Sequence, residues 1–204
     1  MEKLKGNKII AVVRSETASR ALETANALIK GGIKVIEVAV SFKEAFAVIE
    51  ELSKNPEIIV TAGSVITNNQ ASMAIKAGAK LIVSPVAELN LVKLCKSYNV
   101  QVITAVSTPN EAYSAWKAGV NTVKIFPAKA LGGPDYIKDI LTPMPFLSLI
   151  PAGGVGEDLI DYFRAGATAV SMARALYCES DDADVITAKA QKIVQSFDRY
   201  RESL

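Results

Sequence analysis

Apolar residues in this chain alternate between two patterns. Short runs that are apolar on both faces occupy positions 8–13, 35–40, 58–62, 81–84, 100–105, 122–126, 148–152 and 169–172, and they read as strands. Between them, apolar residues recur at helical spacing over 18–30, 45–53, 69–76, 89–98, 109–118, 134–141 and 158–165. A last amphipathic stretch, 184–202, sets Val185, Ile186, Ala190, Ile193, Val194 and Phe197 on one face and is expected to pack across the outside or end of the molecule.

One junction recurs four times: Lys30-Gly31-Gly32-Ile33, Lys76-Ala77-Gly78-Ala79, Lys117-Ala118-Gly119-Val120 and Arg164-Ala165-Gly166-Ala167. Each sets a cation and a helix-ending glycine just before an apolar run. The interval of roughly 40 to 47 residues is that of two strand–helix units, so four copies imply eight units. Strands apolar on both faces and alternating with helices build a parallel sheet covered by helices. Eight units favour closure into a (β/α)8 TIM barrel, one α/β domain over 1–204 with an additional C-terminal helix. An open doubly wound sheet is the alternative, but no G-x-G-x-x-G follows the first strand.

Half of the 204 residues are hydrophobic and the formal charge is only +2, with basic residues scattered, so no nucleic-acid footprint is present. No apolar run approaches the roughly 20 residues of a membrane span. The opening residues lead straight into a strand rather than a signal-peptide core, so a cytoplasmic protein is expected. Cys95 and Cys178 have neither the count nor the spacing of a disulfide framework or zinc site and read as packing thiols. Histidine is absent, which removes histidine triads, imidazole metal sites and histidine bases.

Chemistry is therefore left to carboxylates and amines, and two are conspicuous. Lys124 interrupts Thr122-Val123-Lys124-Ile125-Phe126, and Glu37 interrupts Val35-Ile36-Glu37-Val38-Ala39-Val40. Strand parity groups Glu37 with Val35 and Ala39, and Lys124 with Thr122 and Phe126, while the wholly apolar faces must meet the helices. Both charges then point into a narrow barrel, where they meet or share a water. Burial penalises the charged form of an amine, and a free amine attacks carbonyls. The opposed alternative is an inert internal ion pair.

Strand ends add candidates for substrate binding. Arg14 follows the first strand on its inward parity and suits a carboxylate, or else pairs with a loop carboxylate. Ser64, after the third strand, orients the substrate or caps a turn. Gly153 and Gly154 follow the seventh strand, and Ser171-Met172-Ala173-Arg174 follows the eighth, the loops that often bind phosphate in such barrels; a tight turn explains the glycines equally well.

With these residues assembled, nearly the whole chain resembles the 2-keto-3-deoxy-6-phosphogluconate and 4-hydroxy-2-oxoglutarate aldolase family. The carrying stretches are Ile10-Ala11-Val12-Val13-Arg14, Val35-Ile36-Glu37-Val38, Ala62-Gly63-Ser64-Val65, Ile82-Val83-Ser84-Pro85, Ser107-Thr108-Pro109, Val123-Lys124-Ile125-Phe126-Pro127-Ala128 and Gly153-Gly154-Val155. The resemblance implies a class I aldolase that uses no metal or organic cofactor. It releases pyruvate from a small keto-acid substrate and commonly forms a homotrimer. Lys124 would form the Schiff base and Glu37 would move protons. Arg14, Ser64, Pro85, Phe126, Gly153, Gly154 and Arg174 would bind substrate. Cleavage of the 2-keto-3-deoxy-6-phosphogalactonate type, another pyruvate-imine lyase or decarboxylase, and a non-catalytic phosphate-binding barrel stay open. The chain departs from the usual pattern at Ser41, where many relatives carry arginine, and at Ala152, where threonine is usual. It departs again over 171–174, where Gly-x-Gly-Ser is usual. Arg174 either binds a phosphate or closes the pocket to one.

Overall fold

The computed structural model describes Leu4 and residues 6–203. The chain runs β1 (Ile9–Val13), α1 (Ala18–Lys30), β2 (Val35–Ala39), α2 (Ala45–Ser53), β3 (Ile59–Gly63), α3 (Asn68–Lys76), β4 (Leu81–Ser84) and α4 (Leu89–Ser97). It continues through β5 (Gln101–Val106), α5 (Pro109–Lys117), β6 (Thr122–Ile125), α6 (Pro134–Leu141), β7 (Ser148–Pro151), α7 (Leu159–Arg164), β8 (Val170–Met172) and α8 (Ala183–Glu202). Every strand and helix expected from the periodicity forms, displaced by a residue or two at its ends. The expectation for the opening segment falls partly on Met1, Glu2, Lys3 and Lys5, which lie outside the described residues.

Local chemistry sets where the helices stop and start. Gly32, Gly78, Gly119 and Gly166 all take φ between 86° and 100°, so the recurring junction ends α1, α3, α5 and α7 in a left-handed residue that glycine adopts without strain. Thr17, Thr67 and Thr108 cap the N-termini of α1, α3 and α5, with Gln70 and Glu111 completing capping boxes on the last two. The strands between are thereby delivered in one direction.

All strand pairs are parallel, in the order β7-β6-β5-β4-β3-β2-β1-β8. Closure of the (β/α)8 barrel falls to a thin seam between β7 and β8, made by an Ala152–Ser171 bridge and by Thr168 N–H donating to Leu149 O at 2.9 Å. An open doubly wound sheet is thereby excluded.

The registers stack the interior in layers. In an eight-strand barrel of shear about 8, equal height advances by one residue per strand, and alternate strands fill each layer. Following the pairings places Glu37, Val83, Lys124 and Ser171 in one layer. Beneath it lie Ile10, Thr61, Ile103 and Ile150, and then Val35, Leu81, Thr122 and Ala169. Above it lie Val12, Gly63, Ala105 and Ala152. The floor is packed and mostly apolar, whereas three of the four residues in the layer above are glycine or alanine.

The outward strand faces meet the helices in the main core, which includes Val38, Val123 and Ile125. Helix α8 lies outside the barrel against α1 and α7, burying Ile186, Ala190 and Ile193, with the Phe163 ring tilted against that of Phe197. Val185 departs from expectation: it is 40% exposed, and Thr187 takes the inner position, its hydroxyl donating to Ala27 O at 3.1 Å. The cysteine reading also needs correction. Cys95 packs in the core, where burial pushes its thiol up to about 11, but Cys178 is exposed on the segment before α8.

Gly31 permits the close approach of α1 and α8. A methyl group there meets Ala190 and comes within 2.9 Å of the Thr187 carbonyl, although the backbone at φ −75° accepts any residue. Gly31→Ala should therefore destabilise the protein by about 1–3 kcal/mol through overpacking alone, read as a lower urea midpoint with unchanged m-value.

Candidate active site

Glu37 on β2 and Lys124 on β6 face each other across the barrel. Lys124 Nζ donates to Glu37 Oε2 at 2.7 Å, and each side chain is only 6% exposed. Removing two such ions from water is costly, and this single charge-assisted contact offsets the loss only in part. The apolar floor and Val83 exclude solvent from below and from one flank. Gly63 makes room for the carboxylate, since a Cβ there would sit 2.5 Å from Glu37 Oε1 and 2.8 Å from its Cγ. Two further polar groups share this throat: the hydroxyls of Thr61 and Ser171 are buried and find no hydrogen-bond partner among the described residues.

The remaining sequence-expected residues lie around the mouth, at the C-terminal ends of the strands. Arg14 is exposed just beyond β1 and has no carboxylate within ion-pair distance among the described residues. Its position is set by Tyr177, whose hydroxyl accepts from Arg14 N–H at 2.7 Å and donates to Val12 O at 3.0 Å. Burial is the largest influence on that phenol and raises its pKa above the ordinary value. Ser64 sits at φ 61°, a left-handed conformation uncommon outside glycine, asparagine and aspartate; Thr67 rather than Ser64 caps α3. Strain at the end of a barrel strand marks a residue held in place by its surroundings.

Pro85 and Phe126 are exposed on the rim and border a cavity of about 190 Å³ with Val86, Ala105, Ser107 and Glu111. Ser107 Oγ donates to Phe126 O and Tyr136 Oη to Ser107 O, both at 2.7 Å, so the rim is tied to α6. Glu111 accepts from the Ser107 and Thr108 N–H groups. The Ser107 bond first, and then those of Thr108, hold its carboxyl below the ordinary value. Gly153 and Gly154 follow β7, and the stem of Lys129 lies over Gly154, where an added Cβ would come within 2.5 Å of Lys129 Cβ. Arg174 is exposed after β8, at the rim rather than in the throat. A separate depression of about 570 Å³ between α1 and α2 lies on the outer wall, lined by Leu22, Ile29 and Leu52, and contains none of these groups.

Sequence reasoning thus found the amine, its carboxylate and the rim. It missed Tyr177, Thr61, Lys129 and the reason Gly63 is glycine, and it set Ser171 in a phosphate loop after the eighth strand, whereas the residue lies within β8 on the inward parity of the barrel. Parity would have pointed to Thr61 and Ser171, but hydroxyls in apolar strands are weak signals until the register is known.

Lys124 and Glu37 thus form a buried amine–carboxylate pair in the interior of a parallel eight-strand barrel, at the end where the loops carrying Arg14, Ser64 and Arg174 gather. The profile of the KDPG and KHG aldolase family matches residues 1–189. A 2-dehydro-3-deoxy-phosphogluconate aldolase of Haemophilus influenzae is 35% identical over 164 residues, 79% of this chain and 77% of that protein. A KHG/KDPG aldolase of Escherichia coli is 30% identical over 195 residues, 92% and 91% of the two chains. Among solved structures, the KDPG aldolase of Legionella pneumophila with pyruvate captured at low pH as a covalent carbinolamine superposes with a TM-score of 0.85. It is 26% identical, and the match covers 94% of this chain and 96% of that one. The chain belongs to the KDPG and KHG aldolase family and is accordingly an aldolase, a carbon–carbon lyase.

Filling the space at Gly63 should disturb the pair without touching it chemically. Gly63→Ala is expected to push the Glu37 carboxylate away from Lys124 and lower aldolase turnover by about 10²-fold, the cost of roughly 1 Å of misplacement. Circular dichroism should still report a folded barrel.

Proposed function

We propose that this chain is a class I aldolase that reversibly cleaves a 2-keto-4-hydroxy acid into pyruvate and an aldehyde through an imine on Lys124. The observation that carries the reading is the buried 2.7 Å contact between Lys124 and Glu37. The Legionella relative held with pyruvate as a carbinolamine supports it.

Passing the shared proton to Glu37 leaves Lys124 as a free amine. The nitrogen lone pair attacks C2 of the keto acid and the carbonyl electrons move to oxygen, which takes the proton back from Glu37. Glu37 next removes a proton from nitrogen and returns it to the C2 hydroxyl, which leaves as water and gives the iminium. With Glu37 again a carboxylate, it takes the C4 hydroxyl proton. The C3–C4 bond breaks, its electrons flow into the iminium, and an aldehyde departs. Protonation of the enamine at C3 and hydrolysis by water release pyruvate and restore the amine. The iminium is the electron sink, so the scheme calls on no metal or organic cofactor. Arg14 and Ser64 hold the C1 carboxylate, while Phe126, with Pro127, limits water at the mouth. Pro85 lines the opposite rim. Gly153, Gly154 and Arg174 receive the distal, anionic end of the substrate, phosphate or carboxylate, of the gluconate or galactonate configuration.

In this reading residues 1–204 form one catalytic domain. It works in the cytoplasm, where an exposed thiol such as Cys178 stays reduced, and no helix among the described residues is long and apolar enough to cross a membrane. Three copies associate as a ring. Ile66 is 54%, Val86 51% and Phe126 52% exposed beyond β3, β4 and β6, Leu89 is 58% exposed at the start of α4, and a second copy of the chain covers them.

Borohydride reduction in the presence of pyruvate tests the chemistry. The expected product is a stable adduct mapped to Lys124 and lost in Lys124→Met; Glu37→Gln should keep the fold and lower kcat by about 10²- to 10⁴-fold. An unmodified wild-type protein would leave only the binding-barrel reading. For the assembly, Leu89→Glu should convert a threefold mass to that of one chain in sedimentation equilibrium; an unchanged mass would place the contact elsewhere.

A further inference from the structure

We infer that Ser171 is a further catalytic residue, whose hydroxyl hydrogen-bonds the C2 oxygen of the keto acid as that oxygen is converted to water. The inference rests on the Schiff-base reading and deepens it.

Three observations carry the assignment. First, Ser171 shares a layer with Glu37 and Lys124: β8 lies between β6 and β2 in the ring, so Ser171 flanks the amine–carboxylate pair on one side and Val83 flanks it on the other. Second, its hydroxyl is 2% exposed and has no partner among the described residues, although a buried hydroxyl ordinarily finds one. Third, three of the four residues in the layer above, Gly63, Ala105 and Ala152, carry a methyl group or none, and Val12 is the fourth, so the side chains on the mouth side of this level are small. A carbon bonded to Lys124 Nζ therefore has a hydroxyl on one flank and methyl groups on the other.

That asymmetry suits the steps at C2. When the amine adds, negative charge develops on the former carbonyl oxygen, and a hydroxyl can donate to it while Glu37 delivers the proton. When the carbinolamine breaks down, the C–O bond cleaves with protonation by Glu37, and the Ser171 oxygen accepts a hydrogen bond from the leaving water. Ser171 exchanges no proton of its own, so the balance of the proposed scheme is unchanged. Ala152, directly bridged to Ser171 across the β7–β8 seam, supplies no hydroxyl of its own, so Ser171 is the hydroxyl at this corner of the throat.

The test follows pyruvate adduct formation by rapid-quench borohydride trapping. An adduct at Lys124 in the wild-type protein establishes the imine, and its absence there would dispose of the Schiff-base reading before Ser171 is in question. Given that adduct, Ser171→Ala should form it at least tenfold more slowly and lower kcat similarly, with little change in KM. The urea midpoint should stay the same or rise, because an unpaired buried hydroxyl has been removed. Adding Ala152→Thr to that variant should restore part of the rate. Trapping by Ser171→Ala within twofold of wild type overturns the proposal. A loss of rate that tracks a lowered urea midpoint overturns it too, since that is what a purely structural serine would give, and a double variant as slow as the single one counts against the hydroxyl.

Discussion

The hydrogen bond between Lys124 and Glu37 is the constraint around which the barrel interior is arranged. Replacing a buried ion pair of this kind by well-packed apolar residues is often neutral or stabilising, whereas removing one partner alone leaves a stranded charge. Stability does not account for keeping both. In the proposed mechanism the pair keeps a proton between two groups that each need it at different moments, inside the barrel. That mechanism requires lysine rather than arginine, because an ammonium loses its proton and becomes a nucleophile while a guanidinium stays charged. The neighbouring layers are consistent with it. Below, Ile10, Ile103 and Ile150 are buried beneath the pair; above, Gly63, Ala105 and Ala152 carry a methyl group or none.

Much of this was legible in the sequence, for a definite reason. A charge in the middle of an apolar strand is rare, and two of opposite sign on inward parity have few arrangements other than meeting. The helix-ending glycines, repeated four times, gave both the number of units and their direction. What stayed hidden depends on register and on long-range approach. Ser171 looks ordinary until β8 is aligned with β1 and β7, and only then does it share a layer with Lys124. Gly63 resembles any strand-end glycine until the Glu37 carboxylate is found against it. Tyr177 is 163 residues from Arg14 in the chain, and no local pattern connects them. The errors have the same origin. Val185 fits the apolar face of α8 by spacing, but the rotation of that helix against α1 is set by Gly31 and Ala190, which turns Thr187 inward instead.

The seam that closes the barrel joins fold and site. Between β7 and β8 the ladder is reduced to one bridge and a flanking hydrogen bond, while every other neighbouring pair forms a ladder of at least two pairings. That bridge joins Ala152 to Ser171, the β8 residue that shares a layer with the amine. The glycine pair that follows β7 and the turn that follows β8 continue this side of the barrel out to the rim.

The rim itself is divided. Arg14 beyond β1, Arg174 beyond β8 and Lys129 over Gly154 beside β7 form a cationic arc, and all three side chains are exposed with no carboxylate within ion-pair distance among the described residues. From β3 to β6 the mouth carries the exposed apolar side chains Ile66, Val86, Leu89 and Phe126, beside Ser107 and Glu111. Unpaired cations converging on a throat raise the local concentration of anions, whereas apolar side chains at half exposure favour contact with another protein surface. In the proposed reading the two arcs therefore serve different partners: the substrate's anionic ends meet the first, and a second copy of the chain covers the second. On that reading the distal anionic end lies toward β7 and β8 and the C1 carboxylate between Arg14 and Ser64, so the C2 carbon between them sits over Lys124 with Ser171 on one flank and Val83 on the other.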